Sequence, residues 1–554
     1  MNGYQLQELP KKIGNLLHLR YMDLSWSDVK ELPDAVCSLY NLQTLVLRRC
    51  KWFSRLPDGI GNLRQLRYID LSCSEVETLP DMICSLENLQ TLVLERCESL
   101  SRLPEGIGNL LELRYINLRC ERISRLPEGI ENLINLRHLN ISGSYRLEKM
   151  PQGIAKLTQL CSLSDFKVGK ESSTLGNMEK LNQLKGKLSI FFLCDLNNAA
   201  DVEEAEKAEL RNKKHITKLG LVFSPGVDVG INVIEALKPP PGLQTLKFKW
   251  YKGPRFPSWI LSLGNLRILK IRWCLNASYL PPLGKLPSLE TLFILGMEEL
   301  RYVGSEFLGV AEVGGVAFPK LKKLQFYNCP EWEEWEDLKQ EATIIIMPCI
   351  RELVLSRCSK LKTVPHHLLS RLQKSLKIQG CPGVNLGVDA MKPPLKLQTL
   401  ELIHYGGTHF PSWITLSLYN LRILVIRGCI NCSSLPPLGK LPSLQSLIIW
   451  DMEKLRYVGS EFLGVAEAGG VAFPKLKKMV FGYCPEWEEW EYFKQEATII
   501  VMPCIRELRL TNCGKLKTVP HHLLSMLESL NIDDCPSLEV EYIKSEWQRH
   551  RASR

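Results

Sequence analysis

Two cysteines spaced for metal binding or thiol–disulfide exchange are the first candidates for chemistry in this sequence. Cys429 and Cys432 form a C-x-x-C pair, a spacing found in zinc sites and redox motifs. A second copy of the segment has Cys274 followed by Ala277 at the equivalent positions. Because such a site would need both sulfurs, we expect these cysteines to be structural.

The other polar motifs also lack the neighbours that chemistry requires. Two histidine pairs lie in V-P-H-H-L-L segments without a Cys/His pair at ligand spacing, which favours solvated loop histidines: His366, His367, His521 and His522. The Gly-Lys pairs at 169–170, 284–285 and 439–440 lack the upstream glycine and following Ser or Thr of a phosphate loop. There is no G-x-S-x-G and no kinase signature. We predict a non-enzyme with no catalytic, metal-binding or cofactor-binding residue.

A repeat positions all of these residues. Leu-Pro recurs at 9–10, 32–33, 56–57, 79–80, 103–104 and 126–127, and Met150-Pro151 takes the next place, in steps of 23 or 24 residues. The template between them is L-P-x-x-I-x-x-L-x-x-L-x-x-L-x-L, clearest in residues 56–71. A period of this length with leucine at these offsets indicates a leucine-rich-repeat solenoid, in which stacked repeats share one core.

The closing L-x-L of each repeat predicts a short strand whose two apolar residues point inward. The first strand has Met22 and Leu24, and we count seven strands to Leu163, two irregular ones, and twelve from Leu246 to Ile532. The expected fold is a curved α/β solenoid. About 21 parallel strands line its concave face, and irregular loops and short helices cover its convex face.

Composition limits the classes of partner and the cellular compartment that we expect for this protein. Lys and Arg number 70 against 60 Asp and Glu, and the acidic residues are mixed throughout, so we expect no nucleic-acid partner. No apolar run is long enough for a membrane span. Ten of the nineteen cysteines occupy one repeat position, L-x-L-x-x-C, where free thiols would risk crosslinking outside a reducing compartment. We therefore expect an intracellular protein, in the cytoplasm or the nucleus.

The repeat pattern divides the chain into five sections. Residues 1–164 are the regular array, residues 165–232 break the period and include a charged helical stretch at 201–214, and residues 233–384 and 385–538 are two copies of one segment. Residues 539–554 form a charged tail. We also expect fraying in the first repeat, which contains Leu6, Leu9, Ile13 and Leu16 and has no polar cap before it.

The order of several motifs carries a resemblance to a known family. An L-P-x-x-I array precedes FKVGK (166–170), LNQLKGKLSI (181–190), RFPSWI (255–260), LPPLGKLPSL (280–289) and PEWEEWE (330–336). This order resembles the leucine-rich-repeat region of plant coiled-coil NLR disease-resistance proteins. The resemblance implies a region that senses a pathogen effector or a guarded host protein and restrains a nucleotide-binding switch. The family's ADP/ATP-binding module has no counterpart in this sequence, so no cofactor role can be carried over.

Comparison of the two copies suggests a binding face. Residues 286–336 and 441–491 differ at 11 of 51 aligned positions, and eight of the ten predicted solvent-facing strand positions are among them. Since loops normally diverge faster than regular elements, this clustering favours selection for recognition, although a recent duplication with clustered changes is the alternative. The candidate protein-binding residues are Glu290, Thr291, Phe293, Leu295, Gly296, Gln325, Tyr327, Asn328, Gln445, Ser446, Ile448, Trp450, Asp451, Val480, Gly482 and Tyr483.

A second candidate surface lies at the equivalent positions of the regular array, where Tyr, Trp and Arg, the usual interface anchors, recur. A self-satisfied Arg/Asp ladder is an alternative explanation. The sharper hypothesis is contact with the family's nucleotide-binding module or another partner, through Arg20, Tyr21, Asp23, Trp26, Arg67, Tyr68, Asp70, Arg114 and Tyr115.

Two other functional classes remain open. An intracellular scaffold of the Ras-associated repeat type would share the regular array, but the sections from residue 165 onward argue against it. A substrate-recognition subunit of a ubiquitin ligase would need an N-terminal helical docking motif, and this sequence starts inside a repeat.

Overall fold

The computed structural model describes residues 6–169, 174–309, 315–337, 344–386, 394–464, 470–491 and 500–552. The chain divides into two compact units, Met1–Leu266 and Arg267–Arg554. Each unit is built from parallel strands that follow one another in chain order, as expected for a leucine-rich-repeat solenoid.

The first unit contains eleven parallel strands. Strands β1 to β7 form one sheet and β8 to β11 lie side by side in another, both in chain order. Their bounds are β1 (Tyr21–Asp23), β2 (Thr44–Val46), β3 (Tyr68–Asp70), β4 (Thr91–Val93), β5 (Tyr115–Asn117), β6 (His138–Asn140), β7 (Ser162–Leu163), β8 (Asp165–Val168), β9 (Lys185–Phe192), β10 (His215–Phe223) and β11 (Thr245–Lys249).

The inward residues of these strands build the core as the template predicts. Leu45 and Leu47, for example, are fully buried, whereas Thr44 before them and Val46 between them stay partly exposed. Each inward pair can be buried only between the pairs of neighbouring repeats, because a three-residue strand has no other apolar surface to cover it.

A 3-10 turn follows each Leu-Pro step of the regular array. Proline sets φ near −65° at the residue before the turn, and its carbonyl accepts the first hydrogen bond, as in Ile60 N–H to Pro57 O at 3.1 Å. The 3-10 turns of this unit are Lys11–Asn15, Asp34–Ser38, Asp58–Asn62, Asp81–Ser85, Glu105–Asn109, Glu128–Asn132, Gln152–Lys156, Leu175–Met178, Leu210–Asn212 and Ser258–Ser262.

The irregular section supplies a strand that the repeat pattern did not predict. Strand β8 begins two residues after β7 ends, and its Phe166 and Val168 are buried. All 21 predicted strands are present, and β8 is an additional one. The charged stretch forms helix α1 (Ala199–Lys207), capped by the Asn198 side chain, and a second helix α2 spans Ile231–Ala236.

The second unit repeats the same construction. Its strands are β12 (Ile268–Arg272), β13 (Thr291–Leu295), β14 (Tyr302–Val303), β15 (Val316–Ala317), β16 (Lys323–Tyr327), β17 (Glu334–Trp335), β18 (Ile345–Ile346), β19 (Glu352–Ser356), β20 (Ser375–Gln379), β21 (Thr399–Ile403), β22 (Ile423–Arg427), β23 (Ser446–Trp450), β24 (Tyr457–Val458), β25 (Val471–Ala472), β26 (Lys478–Gly482), β27 (Glu489–Trp490), β28 (Ile500–Val501), β29 (Glu507–Thr511) and β30 (Ser529–Asp533). Eleven of them form the main sheet in the order β12, β13, β16, β19 to β23, β26, β29 and β30. The other eight pair two by two in the long loops, β14 with β17, β15 with β18, β24 with β27 and β25 with β28.

Short helices connect the strands of the second unit, and a longer helix follows the last strand. The short helices are Ser305–Leu308 (α3), His366–Leu369 (α4), Trp413–Ser417 (α5), Ser460–Leu463 (α6) and His521–Leu524 (α7), with 3-10 turns at Leu283–Lys285 and Leu438–Lys440, and the last helix is Val540–Ala552 (α8). Helix α8 occupies the predicted charged tail. It buries Ile543, and the Trp547 indole donates to Leu527 O at 3.1 Å, so this segment packs on the last repeat.

The repeated cysteine position forms a buried column behind the strands. The Cys50 thiol donates to Leu24 O at 3.0 Å and lies 3.4 Å from Ser27 Oγ in the preceding repeat. The ten cysteines that share this position are all buried and free, which agrees with a structural role: Cys50, Cys97, Cys274, Cys329, Cys358, Cys381, Cys429, Cys484, Cys513 and Cys535.

The first two repeats allow a matched test of how stacking protects the backbone. Ile13 N–H and Val36 N–H both donate to the carbonyl of the Leu-Pro proline at 2.9 Å. The turn Lys11–Asn15 buries none of its residues, whereas Asp34–Ser38 buries Val36. We expect hydrogen exchange at Ile13 to be about tenfold faster or more, because local opening there exposes little additional apolar surface. Amide exchange followed by NMR or mass spectrometry measures this, and equal protection at the two amides would contradict it.

Candidate protein-binding face

A left-handed residue ends the strand in most repeats. It lies two positions after the second inward residue of the strand. A residue other than glycine adopts this left-handed conformation at a cost of about 1–3 kcal/mol. Thirteen such residues are not glycine: Trp26, Arg49, Cys73, Arg96, Trp250, Trp273, Asn328, Arg357, His404, Asp451, Tyr483, Asn512 and Asp534. Glycine occupies the position at Gly143, Gly296, Gly380 and Gly428. We call this position the strand exit, and the side of the strands opposite the inward pairs the outer strand face.

In the first copy, the candidate residues on β13 and β16 form an aromatic cluster. Register aligns Phe293 with Gln325 and Leu295 with Tyr327. The Phe293 and Tyr327 rings lie 5.2 Å apart, and the Arg272 guanidinium lies 4.8 Å from the Phe293 ring, within cation–π range. All of these side chains are partly exposed.

Glu290, at the start of the same face, is held by basic neighbours. Lys322 Nζ donates to Glu290 Oε2 at 2.8 Å, and Arg267 Nε lies 3.6 Å from Oε1. The Lys322 hydrogen bond lowers the pKa of Glu290. The second copy has Gln445 here, which is neutral and cannot form the same ion pairs. The next residue is half-buried in both copies, Thr291 in the first and Ser446 in the second.

The second copy builds a different cluster from the same positions. Trp450 on β23 aligns with Gly482 on β26, and the Trp450 ring lies 5.2 Å from the Tyr483 ring. Tyr483 is 48% exposed, so part of an aromatic surface faces solvent. Ile448 aligns with Val480 beside them.

Three candidate residues do not face solvent, contrary to the sequence-based expectation. Gly296, Val480 and Gly482 are buried. Gly296 lies under the Trp273 ring and Gly482 under the Trp450 ring, and a Cβ added to either glycine would overlap that ring. A larger side chain from the preceding repeat therefore covers each glycine, which alternation along a strand cannot reveal.

This packing couples some of the changes between the two copies. Leu295 and Tyr327 are replaced by Trp450 and Gly482, so a larger residue on one strand accompanies a smaller one on the next. Trp273 corresponds to Gly428, and Gly296 to Asp451, at the same offset of 155 residues. The second copy, whose next strand exit is Asp451, therefore has Gly428 in place of this tryptophan.

In the regular array, the candidate acids bond within their own repeat. Tyr21 Oη donates to Asp23 Oδ2 at 3.2 Å, while Ser25 N–H and Oγ donate to Oδ1 at 2.9 and 2.5 Å. Asp70 has the same arrangement with Tyr68 and Ser72, and it is buried rather than solvent-facing. These carboxylates fix the turn off the strand.

The arginines of the same set remain accessible. Arg20, Arg67 and Arg114 are exposed, and Arg114 lies 3.7 Å from Glu112. No ladder between these arginines and the strand aspartates is found among the described residues, since the aspartates bond to tyrosine and serine instead. Tyr115 is partly exposed and lies 5.9 Å from the His138 ring.

Trp26 has a partner that the sequence analysis missed. The Arg49 guanidinium lies 4.2 Å from the Trp26 ring, and both residues are left-handed strand exits of adjacent repeats. The signal in the sequence was the spacing of 23 residues, which places the two side chains next to each other.

The residues first considered for chemistry have structural contacts. Burial raises the pKa of Cys429 to about 11 and of Cys432 to about 12, and the Cys432 thiol donates to Gly407 O at 3.2 Å. Across the described ranges, no group of His, Cys, Asp and Glu is arranged to hold a metal ion.

The expectation of solvated loop histidines was only partly correct, because His521 is exposed whereas His366, His367 and His522 are half-buried. The two pairs begin short helices α4 and α7, and burial lowers the pKa of both His367 and His522. His367 Nδ1 lies 2.9 Å from Asp337 Oδ1, which ties α4 to the loop before it.

The E-W-E-E-W-E segments are packed against the core. Trp332 is fully buried and stacks 4.5 Å from Phe326, with Trp335 5.1 Å away. Glu336 accepts from Tyr302 Oη at 2.6 Å and from Ser305 N–H at 2.8 Å.

Two family models match the chain. Residues 2–101 match "Leucine-rich repeat region", and residues 175–297 and 384–452 match "R13L1/DRL21 LRRs". A putative disease resistance protein of Arabidopsis thaliana is 35% identical over 399 residues, covering 69% of this chain and 22% of that protein. The putative disease resistance RPP13-like protein 1 of the same species is 30% identical, covering 52% of this chain and 31% of that protein.

The chain is a leucine-rich-repeat region similar to those of plant disease-resistance proteins. The second model's matches lie in the irregular and duplicated sections, which a Ras-associated scaffold would not explain. The chain spans less than a third of the length of these curated relatives.

A solved leucine-rich-repeat protein of Leptospira interrogans aligns with 80% of this chain and 87% of its own, at 21% identity and a TM-score of 0.39. At that score the likeness supports no functional inference. Neither family model names a catalytic activity. Among the described residues, no helix is long and apolar enough to cross a membrane.

The coupling between the strand exits at 273 and 296 can be measured directly. Gly296→Asp places a side chain at φ +71° against the Trp273 ring, and we expect a loss of about 1–3 kcal/mol in the free energy of unfolding. Adding Trp273→Gly removes the overlap and recreates the pair found at Gly428 and Asp451. We expect the double variant to recover about 1 kcal/mol or more relative to additive single variants.

Chemical denaturation of the wild type, both single variants and the double variant gives the coupling free energy between positions 273 and 296. The control is Gly264→Asp, also in a loop, where an added Cβ meets no atom within 4 Å. Additive single-variant effects at Gly296 and Trp273 would show that the two positions are independent.

Proposed function

We propose that this chain is the recognition region of a plant disease-resistance protein and binds a pathogen effector or a guarded host protein. The observation that carries the proposal is the clustering of differences between the copies at the predicted solvent-facing strand positions, eight of ten of which differ. Strands of identical register present Phe293 and Tyr327 in one copy, and Trp450 and Tyr483 in the other.

The chemistry of these clusters supports recognition of a protein. Tyrosine, tryptophan and arginine dominate the energy of protein interfaces because they bury large areas and also offer polar groups. Arg272 and Tyr327 flank Phe293 in the first copy, and Tyr483 lies half exposed beside Trp450 in the second.

Packing accounts for only part of the divergence. Leu295, Gly296 and Tyr327 change together with a neighbour that covers or replaces them. Glu290, Phe293 and Gln325 have no such size exchange with a neighbour, yet they also differ from Gln445, Ile448 and Val480. Selection for a new partner would account for these changes, which packing does not require.

In an intact receptor, we propose that the regular array contacts the nucleotide-binding module and restrains it. The exposed Arg20, Arg67 and Arg114 at successive odd repeats would supply that contact, since the neighbouring aspartates are already bonded. The chain itself would bind no nucleotide and catalyse no reaction, and it would act inside the cell, where the free cysteine column stays reduced.

A swap between the copies tests recognition. We would introduce into the first copy the second copy's residues at Trp273, Phe293, Leu295, Gly296, Gln325, Tyr327 and Asn328. Trp273 is included because the incoming aspartate at 296 would otherwise meet its ring. We expect similar stability and a loss of about thirtyfold in affinity for a partner that uses this copy, since one aromatic anchor typically contributes about 2 kcal/mol or more.

The partner would be identified by proximity labelling in leaf tissue and its affinity measured with purified proteins. Glu299→Lys is the matched control, because it also copies the second repeat set (Lys454) but lies outside the outer strand face. Unchanged affinity after the swap, or an equal loss in the control, would contradict recognition by this face.

A further inference from the structure

A second surface is found in the first unit, on the outer strand face of β8 to β11. Register places Ser189 of β9 between Asp165 of β8 and Gly220 of β10, and Gly220 beside Lys247 of β11. Ser189 and Gly220 are buried. Their short or absent side chains leave a shallow depression in the middle of this face.

Lysines surround the depression. Lys187 aligns with Lys218 on the next strand, and both are exposed. Lys247 and Lys249 alternate along β11 on the same face and are partly exposed. Strands lie about 4.8 Å apart and successive residues rise about 3.3 Å. Lys249 lies four residues along β11 from the level of Lys218, so the four lysines span roughly 10 by 13 Å. We call Lys187, Lys218, Lys247 and Lys249 the lysine patch.

Only one acidic residue lies on this part of the outer strand face in the described ranges. Asp165 is 4% exposed, and burial raises the pKa of its carboxyl group although Lys167, Lys187 and Lys247 act in the opposite direction. Like charges directly opposite on neighbouring strands are destabilising. The Lys187–Lys218 pair therefore disfavours the fold, and an anionic group bound between these lysines would relieve the repulsion.

The neighbouring side chains favour carboxylates over nucleic acid. Single-stranded nucleic acid binds through exposed aromatic rings on which bases stack. Phe191, the aromatic residue on this face, is covered by Lys167, whose Nζ lies 3.9 Å from the ring centre.

We propose that the lysine patch binds a cluster of aspartate or glutamate side chains on a partner protein, with the carboxylates seated over Ser189 and Gly220. The residues that differ between the two copies take no part in this contact. Failure of this proposal would leave the proposed function standing, and the reverse is also true.

The test uses the full chain and a fluorescent twelve-residue peptide that alternates glutamate and serine, with glutamine replacing glutamate in the control peptide. We expect saturable binding of the glutamate peptide that weakens steeply between about 0.05 and 0.5 M salt. Lys187→Gln combined with Lys218→Gln should weaken it about tenfold or more, without lowering the midpoint of thermal unfolding, because a like-charge pair is removed.

The matched control is Lys180→Gln combined with Lys238→Gln, two exposed lysines outside these strands that change net charge equally. Binding to this variant should stay within about twofold of wild type. Should the patch double variant unfold early, Lys249→Gln serves as a single-site replacement. Equal weakening in both pairs, no binding to wild type, or tighter binding of a twelve-nucleotide single strand that depends on the same lysines would overturn the proposal.

Discussion

Burial of the inward pair between neighbouring repeats is the interaction on which every other feature depends. Leu92 and Leu94 are fully buried, although their strand has only three residues. Such a strand is too short to be stable alone, so its burial comes from the repeats on either side. Asparagine side chains reinforce this stacking, as Asn88 Nδ2 donates to Arg64 O at 2.9 Å in the preceding repeat.

This constraint separates the strand positions by their role. Inward positions must stay apolar, and those that differ between the copies change conservatively, as Leu324 to Met479 does. Outer positions are free to vary unless a side chain from the preceding repeat lies over them. The residue at the strand exit decides whether the next repeat is covered. Its left-handed backbone directs the side chain toward the next repeat, as Arg357 is directed toward Gly380.

Most of the fold could be predicted from the sequence because every period of 23 or 24 residues places apolar residues at the same inward positions. It missed β8 because Phe166 and Val168 come directly after β7 rather than one period later, and it missed the eight two-residue strands of the long loops because they lie outside the template. It placed Gly296, Val480 and Gly482 on the outer face but did not predict their burial, since alternation says nothing about side chains from the adjacent strand. Two histidines were misjudged for a similar reason. His367 and His522 are half-buried in short helices, and His367 contacts Asp337, which is distant in sequence.

The tryptophan over a glycine at the strand exit also restricts how the two copies could have diverged. Two substitutions separate Trp273 and Gly296 from Gly428 and Asp451, and they could have occurred in either order. One intermediate pairs two glycines and leaves open space, whereas the other places an aspartate against the indole ring. The second requires the indole to move, as it does where Trp26 precedes Arg49. The glycine pair is therefore the less strained of the two routes between the copies.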